Sequence, residues 1–256
     1  MPKLISGPEN WVYLFWQDAN VLYFALANTS NSHMLTAWSG DDLLARSSAS
    51  YQALVDEEGI IHVVYLQPVD FNKLPAGIYY MRSVDHGGSW SLPALLYRSS
   101  YYRSILQPEY SGAFPKNSVD LAVSKLGDRK TVYVAFDNQP RSRVFVARST
   151  DGGQKWGEAV EVDGPSAGSG VAVPGDIHVS ALNQNAVLIW QVKQSDTVCF
   201  SYYKSSNDGG ASWSDSQRLN TPYPGCAEEM NFLPGLTSYS LLFTSASGLS
   251  YLSAWN

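Results

Sequence analysis

The chain has 256 residues, 45% hydrophobic and 16% charged, with a formal net charge of −6. That apolar share supports a core and excludes a disordered chain. The acidic balance, with no Lys/Arg-rich run, argues against nucleic acid as a partner. The longest apolar stretches are strand-sized, so no membrane span is expected, and residues 1–20 lack the pattern of a signal peptide.

In chain order, the first strand-like runs are Lys3 to Ser6, Trp11 to Gln17 and Val21 to Ala27. A second set covers Tyr51 to Val55, Ile60 to Leu66, Gly77 to Arg82 and Ala94 to Arg98. After a long loop, a third set runs Val119 to Ser124, Thr131 to Phe136, Arg143 to Arg148 and Ala159 to Val162. The fourth is Ile177 to Ala181, Ala186 to Val192, Thr197 to Tyr203 and Gln217 to Leu219; the fifth is Glu229 to Leu233, Tyr239 to Thr244 and Leu249 to Ala254. Short runs separated by turn residues, without a 3.6-residue apolar period, read as antiparallel β-structure.

Between the third and fourth runs of three sets stands one motif. It reads Ser83-x-Asp85-x-Gly87-x-x-Trp90, Ser149-x-Asp151-x-Gly153-x-x-Trp156 and Ser206-x-Asp208-x-Gly210-x-x-Trp213, recurring about every 60 residues. The Asp side chain can accept hydrogen bonds from amides of its own turn, and the Gly pair can supply positive φ. The Trp carries apolar surface that one meander cannot bury alone, so it should pack between neighbouring sheets. Thr29 to Trp38 reads as a degenerate copy without Asp and Gly. Repeating four-stranded units without helices predict an all-β chain, a β-propeller of four-stranded antiparallel blades. It is read as one propeller domain over 1–256, with blades near 2–46, 50–99, 117–163, 176–220 and 227–256. The last blade lacks an outer strand, so five blades of a six-bladed ring is the favoured reading over a small five-bladed ring.

These motifs resemble the Asp-box, or BNR, repeats of the sialidase (neuraminidase) superfamily. The second departs from that pattern, with Lys155 where Ser or Thr is usual. The resemblance implies a glycan or glycoconjugate partner, a secreted or cell-surface location and, if the chain is active, a sialidase-like glycoside hydrolase. The family's three-arginine clamp and Tyr–Glu nucleophile pair are not matched. No Arg-Ile-Pro occurs, and Ser245 to Trp255 holds no arginine. Pro224 to Glu229 is similar to the family's Gly-Cys-Gln stretch, which makes Glu228 and Glu229, with Tyr110, the catalytic candidates. Strand alternation would send the two glutamates to opposite faces. The alternative reading is a non-enzymatic protein- or carbohydrate-binding propeller.

The loop Ser99 to Ser118 brings Tyr101, Tyr102, Arg103, Glu109 and Tyr110 to the face opposite the Asp motifs, as a sugar-binding shelf or, the plainer and favoured reading, a cover for a blade edge. Arg141 and Arg143 flank a strand-two-to-three connection after Asp137 and could hold an acidic sugar, although solvated charges are the commoner case. Asp70 and Lys73 occupy the matching loop one blade earlier. Asp176 and His178 could face a central funnel, with a structurally satisfied His as the favoured reading. Asp85, Asp151 and Asp208 are read as structural. Cys199 and Cys226 allow one disulfide or two buried thiols. No metal site or cofactor is expected.

Overall fold

In a computed structural model the chain is described over residues 2–107, 118–162, 173–195, 198–219, 226–234, 239–245 and 248–255. It divides into two compact units, Met1–Pro108 and Glu109–Asn256. The first holds two four-stranded antiparallel meanders: β1 (Lys3–Ser6), β2 (Trp11–Asp18), β3 (Val21–Asn28) and β4 (Asp42–Ala45), then β5 (Ser50–Val55), β6 (Ile61–Gln67), β7 (Gly77–Ser83) and β8 (Ala94–Arg98). The second holds β9 (Val119–Leu126), β10 (Arg129–Asn138), β11 (Arg143–Ser149) and β12 (Val160–Glu161), then β13 (Val173–Leu182), β14 (Asn185–Lys193), β15 (Cys199–Ser206) and β16 (Gln217–Arg218). A three-stranded meander follows: β17 (Ala227–Pro234), β18 (Tyr239–Ser245) and β19 (Gly248–Trp255).

Within each unit the meanders pack face to face. Tyr13, Phe15, Leu22 and Phe24 of the first sheet share a core with Ile61, Val63, Tyr65 and Tyr79 of the second. In the other unit Tyr133, Ala135, Val144 and Val146 pack against Ile177, Leu188, Trp190 and Val192. Ile189, on the opposite face of β14, packs instead with Leu219, Met230 and Leu241. A strand covered on both faces has no solvated side, which is why Ala186 to Val192 is almost continuously apolar.

The three Ser-x-Asp turns share one hydrogen-bond pattern. The Ser hydroxyl donates to the Asp carboxylate at 2.7–2.8 Å and accepts from the Gly amide two residues beyond it at 2.8 Å. Each Asp Oδ1 accepts from the backbone amide four residues on, at 2.8–3.0 Å. Ser89 and Ser212 add a hydroxyl bond to Oδ2 at 2.6 and 2.5 Å, which Lys155 cannot make. These donors favour the charged carboxylate. The Ser89 hydroxyl and amide push the Asp85 pKa down to about 2, and the Ser212 hydroxyl and amide lower Asp208 further. Asp151 is also lowered, burial being outweighed by the Lys155 amide and the Ser149 hydroxyl. Asp151→Ala should destabilise by about 1–3 kcal/mol through amides left without an acceptor. Lys155→Ser should raise the thermal midpoint by restoring the missing hydroxyl; both are read by thermal melts.

Three details differ from the sequence reading. The two positive-φ positions are the fourth and fifth of each turn, so in the first turn they are His86 (φ 57°) and Gly87 rather than the Gly pair. His86 tolerates this while its Nδ1 bonds the Tyr13 hydroxyl at 2.6 Å. In the degenerate copy the pair is reversed: the Ser30 hydroxyl donates to Asn28 Oδ1 at 2.7 Å, and Trp38 Nε1 donates to Ser32 O within its own loop. The inner strand of the fourth sheet starts at Val173, earlier than expected, because a bulge between Gly175 and His178 carries it past the apolar run. The indoles of Trp90, Trp156 and Trp213 are half-buried. Trp90 meets Phe24 of the preceding sheet edge-on with centroids 5.4 Å apart, and Trp213 packs on the core that contains Tyr133.

Candidate functional site

In an antiparallel meander the start of the first strand and the two-to-three connection lie at one end, and the Ser-x-Asp turn at the other. The second strand of each four-stranded sheet reaches the first of these ends with a bulky apolar residue followed by Gln or Asp: Trp16-Gln17, Leu66-Gln67, Phe136-Asp137 and Trp190-Gln191. Three of these polar side chains grip the chain that opens the next sheet. Gln17 Nε2 donates to the carbonyl and hydroxyl oxygens of Ser48. Asp137 Oδ2 accepts from the amides of Ser118 and Asp176, both at 3.0 Å. Gln191 donates to the carbonyl of Ala227 at 3.1 Å and accepts from its amide at 2.8 Å. Gln67 donates within its own hairpin, to Leu74 O and Pro75 O.

Beside this relay sits an ion cluster on the inner strands of the second unit. His178 lies 3.3 Å from Asp176 Oδ1 and 3.6 Å from Asp120 Oδ2. Asp176 Oδ2 accepts from Gln191 Nε2 at 2.6 Å, and Asp120 Oδ2 from the Val179 amide at 3.0 Å. Asp176 has φ 52°, a left-handed conformation that Asp tolerates better than most residues. Its amide bond to Asp137 and its two side-chain partners hold it there. The side chains of His178, Asp176 and Asp120 remain 23%, 25% and 14% exposed.

Burial opposes charge on His178, but hydrogen bonds to Asp120 and Asp176 and the charges of both outweigh it, pushing the pKa up to about 10. The imidazolium is therefore a donor at neutral pH rather than a base, and the cluster carries one net negative charge. With the folded pKa above the unfolded one, its stabilisation is complete below about pH 6.5 and is lost as pH rises through about 10. The change is on the order of a few kcal/mol. Urea titrations across pH 6–10.5 should show that decline in the native protein and a flatter profile in His178→Gln.

The remaining sequence candidates separate. Arg103, on a 3-10 turn after β8, donates to Asp70 Oδ2 at 2.7 Å, both side chains being more than half exposed. The Ala76 amide and, against the effect of burial, Arg103 hold the Asp70 carboxyl below its ordinary range. Tyr102 is fully buried, edge-on to Tyr97, and offers no ring face to a ligand. The reason is local: the 3-10 turn Ser100–Leu106 rolls it inward and leaves Tyr101 58% exposed. Arg143 pairs with Glu161 at 3.2 Å and donates to Ser142 O; Arg141 lies exposed on the short turn Gln139–Arg141. Glu109 and Tyr110 fall outside the described residues. Glu228 and Glu229 stand in β17, where Ala227 pairs with Ser245 and Glu229 with Thr244. Glu228 is thus the extra residue of a bulge, and simple alternation does not govern the pair. Their side chains lie outside the described part. Asp120 and Gln191 were missed by residue-type reasoning; for Gln191 the recurring bulky-apolar-then-Gln/Asp ending of the second strand was the available signal. Among the described residues no group of three or more His, Cys, Asp or Glu could hold a metal ion.

No family model and no curated protein matches the chain. Solved structures do. An ulvan lyase, described as a new family of polysaccharide lyase and bound to -[GlcA(1-4)Rha3S]-, superposes with TM-score 0.59 at 13% identity, over 98% of this chain and 66% of its own. A Dyadobacter fermentans protein of unknown function gives TM-score 0.59 at 13% identity, over 98% of this chain and 77% of its own. The chain thus spans just under two thirds of the lyase. The fold class is all-β, a β-propeller of four-stranded antiparallel blades.

Proposed function

We propose that this protein is a glycan-directed propeller, with Ser-x-Asp turns of the Asp-box (BNR) kind found in the sialidase superfamily. It meets its glycan at the blade end opposite those turns. The observation that carries this reading is the part-exposed Asp120–His178–Asp176 cluster. It sets two part-exposed acceptor carboxylates side by side on inner strands, held in place by the His178 imidazolium between them, a set suited to accept from the hydroxyls of a sugar. A structure of like fold holding a glucuronate-containing glycan supports the same ligand class. Burial of Tyr102 and engagement of the part-exposed Arg143 by Glu161 favour the binding-module reading over a sialidase carboxylate clamp, since Tyr102 offers no ring face and Arg143 already holds a carboxylate of its own chain. The Cys199–Cys226 disulfide supports a secreted or cell-surface setting, where such bonds persist.

The test is a glycan array and an arylsialoside hydrolysis assay on the native protein, Arg103→Ala and Asp176→Asn. Asp176→Asn keeps a residue type tolerant of positive φ and should reduce array binding. Absence of both binding and turnover in the native protein would remove the reading.

A further inference from the structure

At the end of the second unit that bears the Ser-x-Asp turns, a groove of about 420 Å3 runs between the second and third turns. Its size falls within the range of small-ligand sites, about 300–1,000 Å3. Its lining includes Trp156, Trp213, Arg148, Lys155, Glu158 and Thr150. Both indoles are half-buried, so part of each remains available to a ligand. Arg148 is anchored by an N–H donated to Gly209 O at 2.9 Å, which uses one of a guanidinium's five donors.

Lys155 is the informative residue. In the sister turns the same position is Ser89 or Ser212, whose hydroxyl bonds the turn's Asp at 2.6 or 2.5 Å. The second turn forgoes that bond and sets a cation on the groove wall instead. The groove's other charges are Asp151, whose Oδ1 accepts from the Ser149 hydroxyl and the Gln154 and Lys155 amides, and Glu158.

We propose that this groove binds an anionic oligosaccharide. Sugar rings lie against the indoles of Trp156 and Trp213, acidic groups meet Lys155 and Arg148, and Glu158 accepts from ring hydroxyls. Aromatic surface in a groove that two cations also line suits a ligand that is apolar on its faces and anionic at its edge. The site is separate from the inner-strand cluster and does not depend on it.

The experiment is calorimetric titration of the full chain with tetragalacturonate and, as the neutral counterpart, cellotetraose. Tetragalacturonate should bind the native protein and Lys155→Arg alike, and should weaken about tenfold in Lys155→Ser, the loss expected for one charge-assisted contact. Binding should also weaken with added salt. Lys155→Ser restores the residue of the sister turns, so a loss of binding with an unchanged or higher thermal midpoint cannot be ascribed to unfolding. Asp176→Asn, at the other end, should leave this binding intact. Equal affinity in Lys155→Ser, equal binding of cellotetraose, no binding of tetragalacturonate, or loss only in Asp176→Asn would each overturn the proposal.

Discussion

Reduction of the Cys199–Cys226 disulfide should lower the unfolding free energy by about 3.5 kcal/mol, the loop-closure value for a cross-link of this span. The two residues are 27 apart in sequence. Cys199 opens β15, opposite Lys193 of β14, and Cys226 stands directly before β17. The bond therefore ties the fourth blade to the start of the fifth, close to the Gln191 clasp on Ala227. Its loss frees the unfolded chain and loosens a join whose other fastening is hydrogen-bonded. Urea titrations with and without dithiothreitol, and of the Cys199→Ser/Cys226→Ser variant, measure the effect. The oxidised native protein should unfold at clearly higher urea than the other two, and coincident curves would show that the cross-link constrains nothing.

Gly210→Ala should cost about 2–5 kcal/mol, from a left-handed backbone that disfavours a side chain and from overpacking. Gly210 has φ 77°, and a Cβ there would stand 2.6 Å from the Tyr133 ring of the preceding blade. That ring is fully buried and shares a core with Trp190 and Leu188, so it has nowhere to retreat. The neighbouring Gly209 separates the two causes. It has φ 72°, but a Cβ there would meet only the Tyr133 hydroxyl, at 3.9 Å. Gly209→Ala should therefore show the backbone cost alone, about 1–2 kcal/mol. Similar losses for the two variants would mean that close approach to the ring is not what reserves the position for glycine. Gly87, which presses on Phe24 in the first unit, repeats the arrangement.

The blade pattern was legible because its signals are local. Strand runs, turn residues and the Ser-x-Asp motif each occupy a few consecutive positions. The fourth strands were found at their expected places, although β12 and β16 contract to two residues each. The candidate site was much less legible because its pairings are distant. Asp137 reaches Asp176 across 39 positions, Gln191 reaches Ala227 across 36, and Asp120 reaches Val179 across 59. Nothing in residue type marks Gln191 as a clasp; only its repeated place after a large apolar residue does. Tyr102 shows the opposite case. Residue type on the long loop allowed a ligand shelf as well as the favoured blade-edge cover, and it is a short 3-10 turn that decides which tyrosine faces inward: it hides Tyr102 while exposing Tyr101. Glu228 and Glu229 were read by alternation, which holds only where pairing is regular, and the register shifts between Ala227 and Glu229.

The Gln and Asp residues that close the second strands set a rule for recombining blades. A blade excised at its loops leaves its neighbour's amide or carboxylate facing nothing in a dry interior, and brings in another with no backbone to hold. Chimeras should therefore be joined so that Gln191 travels with Ala227, and Asp137 with Ser118 and Asp176. The natural module for grafting is a joint between blades, not a blade.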